Sequence, residues 1–330
     1  QRDMLAVLDR TSEMGAQAIV LSTTMFDHHQ YAIRNEEADF RFKRLNAHPE
    51  YNAKLAYYGG WLWELTLDRS LKYIDLWGPM NAFTDRYRKE VPDFTVLPDS
   101  IHPNPDGMAL IAVEMAKYFA GDRVEANRVE LKLLKDGQFE AEGKVAIQHF
   151  DRNGLTATIT ANSLPWVLPA SGEIGPAPWN YLDDPREGFR AALEGSSLNA
   201  DILRVRGLDE GVYEILLNGV VAVIVESDAL VRGIKLQEIP NAPGLKQSQQ
   251  LALLNAKRNN VAVRPYRDVQ GKMKHARKEH ASDSAGLSAA RAEIEGELNR
   301  LQLLSSEMEK EIHRIAVPKP YQLEIRRFMN

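Results

Sequence analysis

Cysteine is absent from the 330 residues, which removes disulfides, thiolate zinc sites and cysteine nucleophiles, and fits an oxidising or a reducing compartment equally. No apolar run approaches the roughly 20 residues that a bilayer crossing needs, so a membrane span is not expected. Excess positive charge is missing too: 41 Lys and Arg face 46 Asp and Glu, a formal net charge of −5. No basic stripe is interleaved with aromatics, which argues against nucleic acid as a partner. Tandem repeats and low-complexity tracts are also lacking. What is present suits a folded protein: 44% hydrophobic residues in a chain long enough for two or three cored units. The chain opens at Gln1 already in an amphipathic pattern, with Leu5, Leu8, Thr11 and Met14 on one face, and reads as a protein whose beginning lies upstream.

Helix and strand patterns alternate over residues 1–121. Residues 2–14 read as a helix stopped by Gly15, Ala18-Ile19-Val20-Leu21 as a buried strand, 50–69 as a helix and Lys72-Tyr73-Ile74-Asp75-Leu76 as a second strand. A third helix has Asn104 as N-cap, Pro105 at its first position, Ile111, Met115 and Phe119 on one face, and Gly121 at its end. Alternation of this kind predicts a parallel sheet covered by helices. Residues 122–240 change to period-two alternation, with Asn218-Gly219 as the strongest turn signal and a Pro- and Gly-rich surface loop at 163–185, and predict an antiparallel β domain. Residues 241–316 predict a charge-sorted helical hairpin. Nine Lys and Arg face Asp268 and Glu279 in 246–280, seven acids face four bases in 281–316, and Leu287, Ile294, Leu301, Met308 and Ile315 recur every seven residues. Pro265 should kink or break the first arm. Residues 317–330 read as a C-terminal tail.

The most informative stretch is Leu97-Pro98-Asp99-Ser100-Ile101-His102-Pro103-Asn104-Pro105-Asp106-Gly107, expected between a strand of the α/β unit and the third helix. Such a junction belongs to the sheet edge where open α/β proteins place ligands. Asp99 and His102 are three apart in a turn, so the carboxylate can reach one imidazole nitrogen and fix its tautomer. That is the orienter and base that a serine nucleophile requires.

Residues 1–121 resemble the C-terminal half of the SGNH, or GDSL, hydrolase family. Asp99-x-x-His102-Pro103 is similar to the family's last motif, and Lys72 to Met80 is similar in order and spacing. The resemblance implies a flavodoxin-like three-layer fold, ester hydrolysis, often of acetyl groups on carbohydrates, with His102 as base and Asp99 as its orienter, no cofactor, a bacterial source and an extracytoplasmic setting. The segment Leu203 to Leu236 resembles an accessory region of some bacterial members. The family's other motifs, a Gly-Asp-Ser nucleophile, a glycine and a Gly-x-Asn-Asp, are not matched: the chain has no Gly-Asp-Ser and no Asn-Asp. In members they precede the Asp-His block, so the resemblance implies a serine outside these residues. One oxyanion donor alone contributes roughly 3–4 kcal/mol, and the chain by itself is expected to be a very poor esterase.

Thr23-Thr24-Met25-Phe26-Asp27-His28-His29 follows the first strand and should share the sheet edge. Thr24 and His28 are candidates to line a substrate pocket; a zinc or manganese site with Asp99 and His102 is the lesser alternative, because adjacent histidines diverge. Trp77, just beyond a strand end, is a candidate substrate contact. Trp61 and Trp63 are expected in the core, while Trp166 and Trp179 fall in the Pro-rich loop. The rival reading is a carbohydrate-binding or assembly protein using the β domain and the hairpin, whose heptads could also pair two chains.

Overall fold

The computed structural model describes residues 1–40, 50–120, 127–167 and 200–328. Gly121, Trp179 and nearly all of the expected 163–185 loop lie outside them. Among the described residues, those up to 120 belong to one compact unit and those from 127 to a second.

The first unit runs α1 (Arg2–Glu13), β1 (Ile19–Leu21), α2 (His28–Arg34), α3 (Tyr51–Asp68), β2 (Lys72–Ile74), α4 (Trp77–Arg88) and α5 (Pro105–Ala120). β1 and β2 pair in parallel, Ile19 opposite Lys72 and Leu21 opposite Ile74, as strands joined by a helical crossover must. Leu8, Val20, Leu62 and Leu65 form one buried cluster and Met25, Met80, Phe83, Val96, Leu97, Ala109 and Leu110 another. β2 is shorter than the expected Lys72 to Leu76. Past Ile74 the amides of Leu76 and Trp77 donate to the Ser22 hydroxyl, at 2.7 and 3.0 Å, and the Asp75 carboxylate accepts from the amides of Trp77 and Gly78. Side chains thus replace the strand ladder and turn the chain into α4.

Three core expectations need correction here. Trp63, expected inside, is 51% exposed, one helical turn from exposed Leu67, whereas Leu62, Leu65 and Thr66 face inward. On α5 the buried stripe is Ala109, Leu110 and Val113, and Phe119 is exposed, so the Ile111, Met115 and Phe119 face is not the core face. No strand leads directly into the Asp-His stretch either, since α4 stands between it and β2. Val96 and Leu97 are fully buried in irregular chain, where the Leu97 amide donates to Thr95 Oγ1 and the Asn104 amide to the Val96 carbonyl.

The second unit contains β3 (Asn127–Leu133), β4 (Phe139–Glu142), β5 (Val145–Phe150), β6 (Gly154–Ile159), β7 (Asp201–Arg206), β8 (Val212–Leu217), β9 (Val220–Glu226), α6 (Ser227–Arg232), β10 (Ile234–Lys235), α7 (Pro243–Arg258), α8 (Arg264–Glu279), α9 (Ser284–Ala316) and β11 (Tyr321–Arg327). The strands form two sheets, ordered β10-β7-β3-β4 and β5-β6-β11-β8-β9. Inward side chains of both, including Leu131, Leu203, Leu155, Ile215 and Leu323, share one core, the mark of two sheets packed face to face. Asn218 and Gly219 both have positive φ, 52° and 76°, and close the β8–β9 hairpin as a type I′ turn requires.

Two expectations for this unit are also corrected. β3 and β7 pair in parallel, Asn127 opposite Asp201; the sheet is mixed because a connection long enough to include β4 to β6 frees the pair from hairpin geometry. The stretch expected as a tail holds β11, which lies between β6 and β8 and buries Tyr321, Leu323 and Ile325. Its alternation, with Gln322 and Glu324 outward, is that of a half-buried strand. The helices connect β10 to β11. α9 is 33 residues long and packs Ile294 and Leu301 against Val269 and Ala276 of α8. Pro265 lies in the first turn of α8, directly after a π-helical segment at Asn259–Val263, so the widened turn accommodates the missing amide proton.

Candidate active site

Asp99 and His102 meet in a tight turn. His102 Nδ1 lies 2.8 Å from Asp99 Oδ2, while Asp99 Oδ1 accepts from the amides of Ile101 (3.1 Å) and His102 (2.7 Å). An ionised carboxylate only accepts, so the proton of this pair sits on Nδ1 and Nε2 is the basic nitrogen. The two side chains are 28% and 40% exposed, open enough to meet a solute. Asn104 caps α5, its side-chain oxygen accepting from the Gly107 amide at 2.9 Å. Gly107 is required there: a Cβ would stand 2.7 Å from the Val96 carbonyl oxygen and 2.8 Å from Pro103 Cβ. The whole Asp-x-x-His-Pro-Asn-x-x-Gly string is thus one mechanical piece, with the cap and the glycine seating the turn against the helix start.

The loop after β1 lies beside this turn, joined to it by the Asp27 amide, which donates to the Ser100 carbonyl at 3.0 Å. Thr23, Thr24, Met25 and Phe26 with Tyr51, Leu55 and Ile101 line a depression of about 230 Å³. Thr24 therefore lines a pocket next to the residue that precedes His102. His28 does not; it stacks on Tyr31 with ring centroids 6.5 Å apart, and its Nδ1 is buried without a hydrogen-bond partner. His29 turns elsewhere, its Nε2 4.0 Å from an Asp93 oxygen. Trp77 is tied into the structure: its indole N–H donates to Asn52 Oδ1 at 2.8 Å, and its ring packs on the cluster around Met80. Asn52 also accepts from the Phe26 amide and donates to Asn81, so it braces the pocket wall. Among the described residues no three His, Asp or Glu side chains gather as a metal site needs.

Serine hydroxyls in the neighbourhood are committed or hidden. Ser22 accepts from two amides and donates to the Thr23 carbonyl, and Ser100 is fully buried inside the turn. Sequence reasoning missed Arg88 and Thr95, and named Asp27 only as part of the stretch after the first strand. Asp27 is 0% exposed, and its carboxylate accepts from Arg88 Nη2 and Thr95 Oγ1, both at 2.5 Å, and from the Gln30 amide at 3.1 Å. The one sequence signal available was N-capping: Asp27 stands immediately before α2.

Fold and site together define a class: a mixed α/β protein with an aspartate–histidine pair in the turn between α4 and α5, beside the loop that follows β1, and a β-sandwich with a helical hairpin as a second unit. No protein-family model and no curated protein matches the chain. A solved structure described as a gut microbial diltiazem-metabolizing enzyme resembles it, with a TM-score of 0.72 over 95% of this chain and 73% of the other at 18% sequence identity. At that identity the likeness is one of fold, and the fold is mixed α/β.

Proposed function

We propose that this chain carries the acid and base of a serine ester hydrolase of SGNH/GDSL type, a flavodoxin-like hydrolase unit followed by accessory regions, with the nucleophilic serine outside these residues. The observation that carries the reading is the 2.8 Å pair of Asp99 and His102. In the assembled enzyme His102 Nε2 takes the serine proton and returns it to the leaving alcohol, while Asp99 holds the tautomer and stabilises the imidazolium. The depression lined by Thr24, Met25, Phe26, Tyr51 and Leu55 supports a substrate with an apolar part beside the ester, and a small ester fits it better than a bare sugar. The structural neighbour's description as a metabolizing enzyme agrees with an enzymatic role. Deacylation of an acylated carbohydrate is the narrower form of the proposal. Trp77 contributes to it through the pocket wall, since its indole nitrogen is already bonded to Asn52.

The assembly reading, with self-association through the hairpin, finds its seam partly in use, because Ile294 and Leu301 are buried against α8 of the same chain. Hydrolysis of p-nitrophenyl acetate separates the readings. This chain alone is expected to be nearly inactive. A longer form carrying a Gly-Asp-Ser segment is expected to be active and to lose at least roughly 10³-fold in kcat on His102→Ala. Equal histidine-dependent activity in both forms would place the nucleophile within these residues and overturn the split triad.

A further inference from the structure

The Asp99–His102 turn contains a costly backbone conformation. Ser100 has φ of +74°, a region that costs a residue with a side chain on the order of 1 kcal/mol and persists only where its surroundings enforce it. Within the motif the Asp99 carboxylate accepts from the Ile101 and His102 amides and the Ser100 amide donates to the Leu97 carbonyl; further enforcement comes from outside it. Asp27 donates its amide to the Ser100 carbonyl, and Arg34 Nη1 donates to the Pro98 carbonyl at 3.0 Å. The Asp27 carboxylate is in turn immobilised by Arg88 from the last turn of α4, by the Thr95 hydroxyl and by the Gln30 amide at the start of α2. Arg88 Nε donates to the Phe94 carbonyl and Thr95 Oγ1 accepts from the Leu97 amide. One fully buried carboxylate thus joins the loop after β1, two helices and the segment that carries Asp99.

A buried ion pair is a poor means of gaining stability, because desolvating both charges consumes most of what their attraction returns. Geometry is what this one supplies. We infer that Asp27, fixed by Arg88 and Thr95, is a positioning residue: it locks the turn at Ser100 so that the Asp99 carboxylate meets His102 Nδ1 and Nε2 is kept as the base. The inference rests on the reading of His102 as general base, but the device can be tested in this chain without any nucleophile.

The readout is the ring-nitrogen NMR signature of His102 in the full chain at a pH where the ring is neutral. In the wild type the Nδ1-protonated tautomer should dominate. Thr95→Val removes two bonds, the one to Asp27 and the one from the Leu97 amide, without stranding a charge, and should give a measurable mixture of tautomers in a chain with wild-type circular dichroism. Asp27→Asn should give a larger mixture, and Arg88→Lys, which keeps the cation, should recover part of the wild-type signature. In a longer form with hydrolytic activity, Thr95→Val should lower kcat by about 10- to 100-fold with KM little changed, the scale expected of a misplaced catalytic group. If Thr95→Val and Asp27→Asn fold and keep the wild-type tautomer, the positioning role is overturned. Should Asp27→Asn fail to fold, Thr95→Val and Arg88→Lys decide the matter. Failure of the esterase reading would show up separately, as His102-independent hydrolysis with the tautomer effects intact.

Discussion

Ser100 concentrates the local argument. Its positive φ and complete burial mean that glycine fits the backbone, and that any residue branched at Cβ both strains it and overfills the space. Ser100→Gly should change stability by less than about 1 kcal/mol, backbone relief offsetting the greater entropy of the unfolded glycine chain. Ser100→Val should lose roughly 2–3 kcal/mol. Urea unfolding midpoints of the two variants would check the contrast, and a harmless Ser100→Val would mean that the turn relaxes freely. Asp201 makes a second prediction at this scale. Burial pushes its carboxyl from the ordinary 3.8 up to about 6; burial, and secondarily the Asp201 charge, raises the Tyr321 hydroxyl. The folded state therefore keeps the Asp201 proton longer than the unfolded chain does. Stability from this group is complete below about pH 4 and is lost as pH rises through about 6, by about 3 kcal/mol in all. Asp201→Asn should raise the melting temperature at pH 8 and flatten its dependence between pH 4 and 6; an unchanged slope would show that the carboxyl is hydrated. How much of the site was legible also divides at this scale. Asp99 and His102 were readable because three residues of one turn carry the geometry. Asp27 was not, since Arg88 and Thr95 are 61 and 68 residues away in sequence and nothing local marks an aspartate before two histidines as buried.

Elements were legible where punctuation was local. Asn218-Gly219 fixed a hairpin, and Asn104 with Pro105 fixed a helix start, because each signal acts within a few residues. Which face a helix buries was harder to read. α5 is apolar on more than one side, and packing selected Ala109, Leu110 and Val113 over Phe119. The β11 strand carried its own signal, since Tyr321, Leu323 and Ile325 alternate with polar residues; its place between two strands more than a hundred positions earlier had no local trace. The end of α9 shows how the hairpin is returned to the sandwich. Buried Gln247 on α7 donates to the carbonyls of Ile315 and Val317 at 2.6 and 2.7 Å and accepts from the Lys319 amide at 3.2 Å. Gln247→Leu keeps the volume and leaves these backbone groups to solvent or to nothing, for an expected loss of roughly 1–3 kcal/mol. Equilibrium urea unfolding followed by far-ultraviolet circular dichroism would measure it, and a stability equal to wild type would show that water replaces the amide without cost.

At the scale of the whole molecule the two units differ in how many strands their sheets hold among the described residues. In the second, β11 joins the β5-β6 and β8-β9 pairs into one sheet, so removing residues 318–330 should cost most of its β signal while leaving the first unit's helices. The first unit has, among the described residues, a sheet of two parallel strands. Two strands are marginal on their own, and a sheet edge with no strand beside it among the described residues is ready to template another chain. Beside them α3 exposes Tyr57, Trp63 and Leu67, more apolar surface than scattered surface residues account for. Both features lead to the same behaviour: residues 1–121 produced alone should self-associate, with a sedimentation coefficient that rises with concentration and a broad, scan-rate-dependent melt. Supplying further strands along the same sheet, as the proposed nucleophile-bearing segment would, should suppress the association and sharpen the transition. A monomeric 1–121 with a cooperative melt would instead mean that two strands and their helices suffice, and the structural reason for expecting a further segment against that edge would disappear, although the pairing of Asp99 with His102 would stand.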